Sequence, residues 1–155
     1  MASYVANIAR GRVTEMYRRI SLNDPNTSVF KLILLKTNEA VGTLVDQDTV
    51  ASMLAASTEA NFTNYVRKVL TDTSLAALPA PDDTNNKMVL QLPAQTWTSA
   101  GGALNNTLTM VCVAYFADTS GADSTGVPCC FYDFATTTNG TDITVNWPSG
   151  FWQSL

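Results

Sequence analysis

Runs of apolar residues and short alternating segments predict a protein built from β-strands. The two clearest strands cover residues 28–36 (SVFKLILLK) and 108–116 (LTMVCVAYF), which are apolar almost throughout. Strands of this composition are covered by protein on both faces. Shorter segments with alternating or β-branched residues predict further strands, at 62–70, 87–92, 96–98, 127–134 and 142–147.

Turn-forming residues separate these segments. Residues 75–86 (LAALPAPDDTNN) predict an exposed connection, and Asn139-Gly140 predicts a tight hairpin between two neighbouring strands. The stretch 59–97 is interpreted as one hairpin-like unit that frames the sheet. In this interpretation Arg67 lies across the sheet surface with its charged head in water, and Trp97 anchors the core.

Little helix is expected. Asp48 is placed to cap one short helix over residues 49–56, with Val50 and Met53 on its apolar face. Residues 1–22 carry apolar positions at steps of three and four, but Gly11 interrupts them. This pattern fits either a short amphipathic helix or an extended arm, and it does not decide between them.

The fold class that follows is all-β, as an antiparallel β-sandwich or a jelly-roll-like barrel with one short helix. At 155 residues the chain is long enough for one domain with a real core. We expect an N-terminal arm or short helix at 1–22 and a single β-sandwich domain at 23–155.

Composition excludes several functional classes. The chain has no histidine, so it cannot contain a Ser/His/Asp or Cys/His nucleophile or a histidine-ligated metal. Charged residues make up only 14% of the chain, and Thr, Ser and Asn carry much of its polarity. A formal net charge of −4 and a pI near 4.5 argue against a general nucleic-acid binder, because such a protein needs a concentrated positive surface.

Basic residues nevertheless concentrate near the N-terminus. Arg10, Arg12, Arg18 and Arg19 lie there, with Glu15 as the one acidic residue among them. They are either solvated side chains of a terminal element or a basic segment that docks on an acidic partner, where complementary charge sets the orientation.

The aspartates invite an acid/base or metal hypothesis. Asp46 and Asp48 are explained more simply as a loop acid and a helix cap. Asp118 and Asp123 could bind calcium, and Asp118, Asp123 or Asp133 could serve a metal-dependent hydrolase, but a solvated polar loop at 117–126 is the simpler interpretation. We therefore expect no cofactor and no enzymatic activity.

Cysteines and apolar runs bear on the compartment. Cys112, Cys129 and Cys130 are interpreted as small apolar residues in a reducing environment, although Cys112 could pair with either of the others across neighbouring strands. The chain shows no secretory signal and no apolar run long enough to span a bilayer. We expect a soluble protein made in the cytoplasm.

Two aromatic residues, Phe151 and Trp152, lie close to the end of the sequence. They are either folded back on the core or offered to a neighbouring subunit, and both alternatives stay open. With the four arginines they form the set of candidate partner-contact residues.

Several segments follow one another from about residue 11 to residue 151. They are GRVTEMYRR, NDPNTS before the strand with LLK, TLVDQDTVASMLAA, EANFTNYVRKVLTD, LAALPAPDDTNN, Trp97 with Gly101-Gly102, and YDFATTTNGTDITV followed by GF. In this order they resemble a family of small virion structural proteins of tailed bacteriophages. That family has no catalytic motif.

The resemblance implies a capsid decoration or cement protein on the outside of the virion head. Such a protein binds across subunits of the major capsid protein and alongside copies of itself, as a homo-oligomer or a lattice-bound array, without nucleic acid or membrane. The alternative is a minor tail or tail-fibre-associated protein that contacts the host surface. Trp97, Tyr115 or Trp152 would then line a saccharide or receptor patch.

Overall fold

Ten strands and three α-helices make up the fold over residues 3–154, the part of the chain that the computed structural model describes. The strands are β1 Ser3–Val5, β2 Val29–Thr37, β3 Thr58–Glu59, β4 Lys68–Leu70, β5 Met88–Leu90, β6 Gln95–Ala100, β7 Thr107–Phe116, β8 Val127–Thr137, β9 Thr141–Val145 and β10 Trp152–Ser154. The helices are α1 Val13–Ser21, α2 Val41–Leu44 and α3 Val50–Ala56. Every strand pairing is antiparallel, so the prediction of an all-β antiparallel fold is confirmed.

The two most apolar strands, β2 and β7, form the centre of the main sheet. They pair along their length, from Val29 opposite Phe116 to Leu35 opposite Met110. The strand order is β1-β8-β7-β2-β3. β4 also pairs with β2, on the same side as β3. Every residue from Met110 to Phe116 is buried, as the unbroken apolar composition predicts.

Other elements cover both faces of this sheet. On the face of Phe30, the Tyr17 ring of α1 lies 6.5 Å and the Phe151 ring 5.7 Å from the Phe30 centroid. The same face receives the two small sheets, β5 with β10 and β6 with β9. On the opposite face, the Lys31 ammonium lies 4.0 Å from the Phe116 ring centroid, and α3 contacts β3 and β8. Sheet packed on sheet gives the sandwich-like arrangement.

The N-terminal segment belongs to this core. β1 pairs with β8, with Tyr4 opposite Phe131, and α1 buries Val13, Met16, Tyr17 and Ile20. The alternatives of arm and helix therefore both apply in part, because Ser3–Val5 is extended and Val13–Ser21 is helical.

The predicted short helix is present as α3, but its cap differs. The Thr49 hydroxyl accepts the Ser52 N–H at 3.0 Å, and the Ser52 hydroxyl accepts the Thr49 N–H at 3.2 Å. This reciprocal arrangement is a capping box, and it satisfies amides that the first helical turn leaves free. The prediction of Asp48 as the cap is therefore wrong by one residue.

The predicted strand over 62–70 is wrong for most of its length. Only Lys68–Leu70 is a strand. Asn64 has φ +71°, and the Tyr65 N–H donates to the Phe62 carbonyl, so the chain turns there. Asparagine adopts this left-handed conformation more readily than most residues, which local alternation does not reveal.

The two predicted hairpins are also wrong. β4 pairs with β2 and β5 pairs with β10, so the stretch 59–97 is not a hairpin-like unit. Gly140, with φ +93°, does make a tight turn, but β9 beyond it pairs with β6 and not with β8. In both cases the burial of residues that are distant in sequence decides which strands pair. Trp97 in β6 lies opposite Ile143 in β9, for example, and both side chains are buried.

The buried position of Phe151 predicts a large stability cost for its truncation. Phe151→Ala should lower the free energy of unfolding by about 3–5 kcal/mol, because it leaves a cavity beside Phe30 and Tyr17. Urea unfolding measures this change. Leu22→Ala is the matched control, since Leu22 is 60% exposed, and it should cost less than about 0.5 kcal/mol. Equal costs for the two variants would contradict the packing described here.

Candidate functional site

A cluster of charged side chains lies beside β2 and the loop that follows β7. The Arg67 guanidinium contacts Glu59 through Nη2–Oε2 at 2.6 Å and Asp123 through Nη1–Oδ1 at 2.5 Å. The Arg67 and Glu59 side chains are each 23% exposed, and that of Asp123 is 34% exposed. The interpretation of Arg67 as a solvated surface cation is therefore wrong.

Tyr65 connects this cluster to the main sheet. β3 and β4 pair with different parts of β2, and the Leu34 N–H lies in the gap between them. The Tyr65 hydroxyl accepts that N–H at 3.1 Å and donates to Glu59 Oε1 at 2.7 Å. A tyrosine side chain thus supplies the acceptor that a continuous strand would have supplied.

The cluster also holds α3 in place. The backbone carbonyl of Asp123 accepts the Ala51 N–H at 3.0 Å, and that of Gly126 accepts the Val50 N–H at 2.9 Å. Hydrogen bonding to Arg67 lowers the pKa of Asp123, and hydrogen bonds to Glu59 and Asp123 raise that of Arg67. Because these charges satisfy one another, we assign the cluster a structural role.

The remaining aspartates of the metal hypothesis do not converge. Asp118 accepts the Ser120 N–H and hydroxyl, each at 2.9 Å, within its own loop, and these bonds lower the pKa of Asp118. Asp133 lies exposed on β8. Within residues 3–154, no three His, Cys, Asp or Glu side chains group as metal ligands, and no helix is long and apolar enough to cross a membrane.

The three cysteines are free and buried in the sheet, so their interpretation as small apolar residues is confirmed. Burial raises the pKa of the Cys130 thiol to about 12 and raises that of Cys129 as well. Cys129 Sγ lies 3.4 Å from Met16 Sδ, where it fills space between β8 and α1. A thiol this reluctant to ionise is a poor nucleophile.

The structure divides the four arginines into two groups. Arg18 and Arg19 lie on the outer face of α1, where each pairs with Glu15. Such exposed pairs contribute little to stability. Arg10 and Arg12 are exposed just before α1, and Arg10 lines a cleft together with Trp152.

Phe151 and Trp152 have different environments. Phe151 is 3% exposed, and its carbonyl accepts the Tyr132 hydroxyl while its N–H donates to the Leu90 carbonyl. Of the two alternatives, folding back on the core holds for Phe151, which presents no surface to a partner. Trp152 is half-buried and lines two adjoining clefts.

The larger cleft lies between β1 and the segment that leads into β10. Its volume is about 670 Å³, and Tyr4, Tyr132, Trp147 and Trp152 contribute aromatic surface to its lining. The smaller cleft, of about 420 Å³, adjoins it along β1 and is lined also by Arg10 and Val41. We call the two together the β1 cleft.

Unpartnered donors lie at the β1 cleft. The indole N–H groups of Trp147 and Trp152 are buried, and neither donates a hydrogen bond to another described residue. Trp97 differs, because its indole N–H donates to the Val66 carbonyl at 2.7 Å. Buried indole groups usually find an acceptor, so these two are exceptions, and because both N–H groups are fully buried a ligand in the cleft would not reach them.

Sequence reasoning identified part of this site. It selected Arg10 and Trp152, which the fold brings to one cleft from opposite ends of the chain. It missed Tyr4 and Trp147, although the aromatic enrichment around residues 147–152 was a usable signal. It gave no indication of the Arg67 cluster, because Glu59 and Asp123 are far apart in sequence and approach only through tertiary packing.

No protein-family model matches the chain, and no curated protein and no solved structure does so either.

The Arg67 cluster predicts a specific dependence of stability on pH. The pKa of Asp123 is lower in the folded than in the unfolded chain, so its contribution is present above the unfolded pKa and is lost as pH falls through the folded pKa. Asp123→Asn should cost about 1 kcal/mol at pH 7, after discounting for solvent screening. This cost should shrink as pH falls below about 4.

Urea unfolding at several pH values measures both quantities. Asp133→Asn is the matched control, because Asp133 is exposed and forms no ion pair with another described residue. That variant should leave stability nearly unchanged at pH 7. A cost for Asp123→Asn that stays constant from pH 7 to pH 3 would contradict the assigned ion pair.

Proposed function

We propose that this chain is an accessory structural protein of a tailed-bacteriophage virion, which decorates the head by binding across subunits of the major capsid protein. It acts by association and carries out no reaction. The resemblance of its successive segments to that family motivates the proposal. The observation from the structure that carries it is the β1 cleft, an aromatic surface beside a sheet edge.

The chemistry of the described residues supports an associative role. Histidine is absent from the sequence. Glu59 and Asp123 both form ion pairs with the Arg67 guanidinium, and the thiols are buried within the sheet. In contrast, Trp152 is partly accessible, and tryptophan and arginine are the residue types most enriched where protein interfaces gain their binding energy.

Repetition supplies the affinity in this proposal. A single small cleft gives modest binding, but a shell presents many equivalent sites to many copies of the chain. Neighbouring copies that also touch one another would raise the affinity further, since a second contact within an assembled array is effectively intramolecular. The exposed Arg10 then orients the chain on an acidic region of the partner.

The alternative, a minor tail or fibre-associated protein, keeps one of its three proposed contact residues. Trp97 is 1% exposed and Tyr115 is 8% exposed, so neither offers a stacking surface for a saccharide. Trp152 remains, and the aromatic lining of the β1 cleft is the observation that favours this second candidate. Copy number separates the two, because a decoration protein is as abundant as the capsid lattice allows and a tail-tip protein is not.

Deleting residues 1–20 would not test the role of the N-terminal segment. That deletion removes β1 and most of α1, which are parts of the core. Point substitutions at the β1 cleft leave β1 and α1 in place and are the sharper experiment.

We predict that Trp152→Ala weakens the binding of the chain to heads. Purified chain would be added to heads that lack it, and the bound amount measured by sedimentation together with the number of copies per head. The substitution should weaken binding by about tenfold, as truncation of a central tryptophan does. Val66→Ala is the matched control, because Val66 is 62% exposed and does not line the cleft. Failure of the unaltered chain to bind heads would overturn the proposed function.

A further inference from the structure

We infer that the β1 cleft binds an extended, acidic peptide segment, which adds to β1 as a further strand of the main sheet. This inference deepens the proposed function by naming the chemistry of the partner, and it rests on that function only for where the peptide comes from. It follows from the free edge of β1, the aromatic lining of the clefts beside it and the charge of Arg10.

β1 is the end strand of the main sheet within the described residues. The Ala6 N–H donates to the Cys129 carbonyl at 3.0 Å, on the side of β8. Because alternate residues of an antiparallel strand direct their N–H and C=O groups to opposite sides, Ser3 and Val5 direct theirs away from β8. An incoming strand would meet these groups, as in other cases of strand addition to a sheet edge.

The free edge has a defined limit. At the next outward position, the Asn7 N–H already donates to the Val45 carbonyl at 2.7 Å. The two clefts that adjoin along β1 share Ser3, Tyr4, Val5 and Trp152 in their linings. A peptide on this edge would therefore contact the linings of both clefts.

The edge offers one charged donor and a backbone that both donates and accepts. The Arg10 guanidinium can only donate, and it lines the smaller cleft. An extended peptide offers an N–H and a carbonyl at every residue, which suits the outward groups of Ser3 and Val5, and a carboxylate side chain adds two stronger acceptors for Arg10. An acidic peptide thus supplies a partner for both kinds of group.

Charge selects the same partner. Arg10 is the one charged residue in the lining of either cleft, and it forms no ion pair with a described carboxylate. The chain as a whole carries a formal net charge of −4, so this cation stands out from an acidic background. A carboxylate beside Arg10 would be attracted, and a cationic peptide would gain nothing from the site.

An acidic oligosaccharide would also offer acceptors and could stack on Trp152. It would leave the outward N–H and C=O groups of Val5 without a regular partner, whereas a peptide strand satisfies both kinds of group at once. The free sheet edge therefore favours the peptide.

Selection from a displayed library of random peptides of about six residues, a common length for a strand, would test the inference. The folded full-length chain is the bait, and the enriched sequence is then synthesised and its affinity measured by tryptophan fluorescence and calorimetry. Enriched peptides should contain aspartate or glutamate and lack proline. Arg10→Glu should weaken binding by about tenfold. Arg18→Glu, the same charge change on the outer face of α1, should alter it by less than about twofold.

N-methylation of the peptide tests strand addition itself. Methyl groups on one set of alternate backbone nitrogens should abolish binding, and methyl groups on the other set should be tolerated, because only one set faces β1. Equal tolerance of both sets, equal effects of Arg10→Glu and Arg18→Glu, or the absence of any enriched peptide would each overturn the inference. So would Arg10-dependent binding of a uronic-acid oligosaccharide in place of peptides. No virion head enters these assays, so their failure is separate from a failure of head binding.

Discussion

The fold depends on burying both faces of the β2–β7 ladder. Ile33 and Leu34 are adjacent in one strand, so their side chains point to opposite faces of the sheet, yet neither is exposed to solvent. Cys112 in the neighbouring strand is not exposed either. One layer of cover cannot achieve this. The chain supplies α1 and two small sheets on one face, and on the other α3 with the loop that follows β7. Elements that seem peripheral in the sequence are therefore required by the core.

This constraint explains which parts of the fold the sequence could predict. β2 and β7 were predictable, because an unbroken apolar run reports its own burial. The partner of each strand was not, because pairing is decided by distant residues: β5 pairs with β10, which Phe151 draws into the core. The hairpin signal at Asn139-Gly140 gave a real turn and a wrong pairing for the same reason. The residues Asn139-Gly140 determine the turn, whereas packing in the core determines which strand pairs with β9.

The same division applies to the functional surfaces. Residue type alone marked Arg10 and Trp152 as candidate contact residues, and both line the β1 cleft. Residue type could not separate Phe151 from Trp152, since both are aromatic neighbours. The tertiary structure separates them, because it places the Phe151 ring against Phe30 and Tyr17 in the core. From the sequence alone Arg67 has the features of a solvated strand residue. Its ion pairs with Glu59 and Asp123 exist only because the tertiary structure brings the three residues together.

Anchoring of the cleft walls has a consequence for binding. β1 is held by its pairing with β8, and β10 by β5 and by the buried ring of Phe151. Neither wall needs a partner to become ordered, so little conformational entropy would be lost from this chain on association. Most of the ordering cost would fall on the extended segment that binds. A rigid edge with outward backbone groups can therefore be selective even where the contact area is small, because a segment that cannot pair with those groups leaves them unsatisfied.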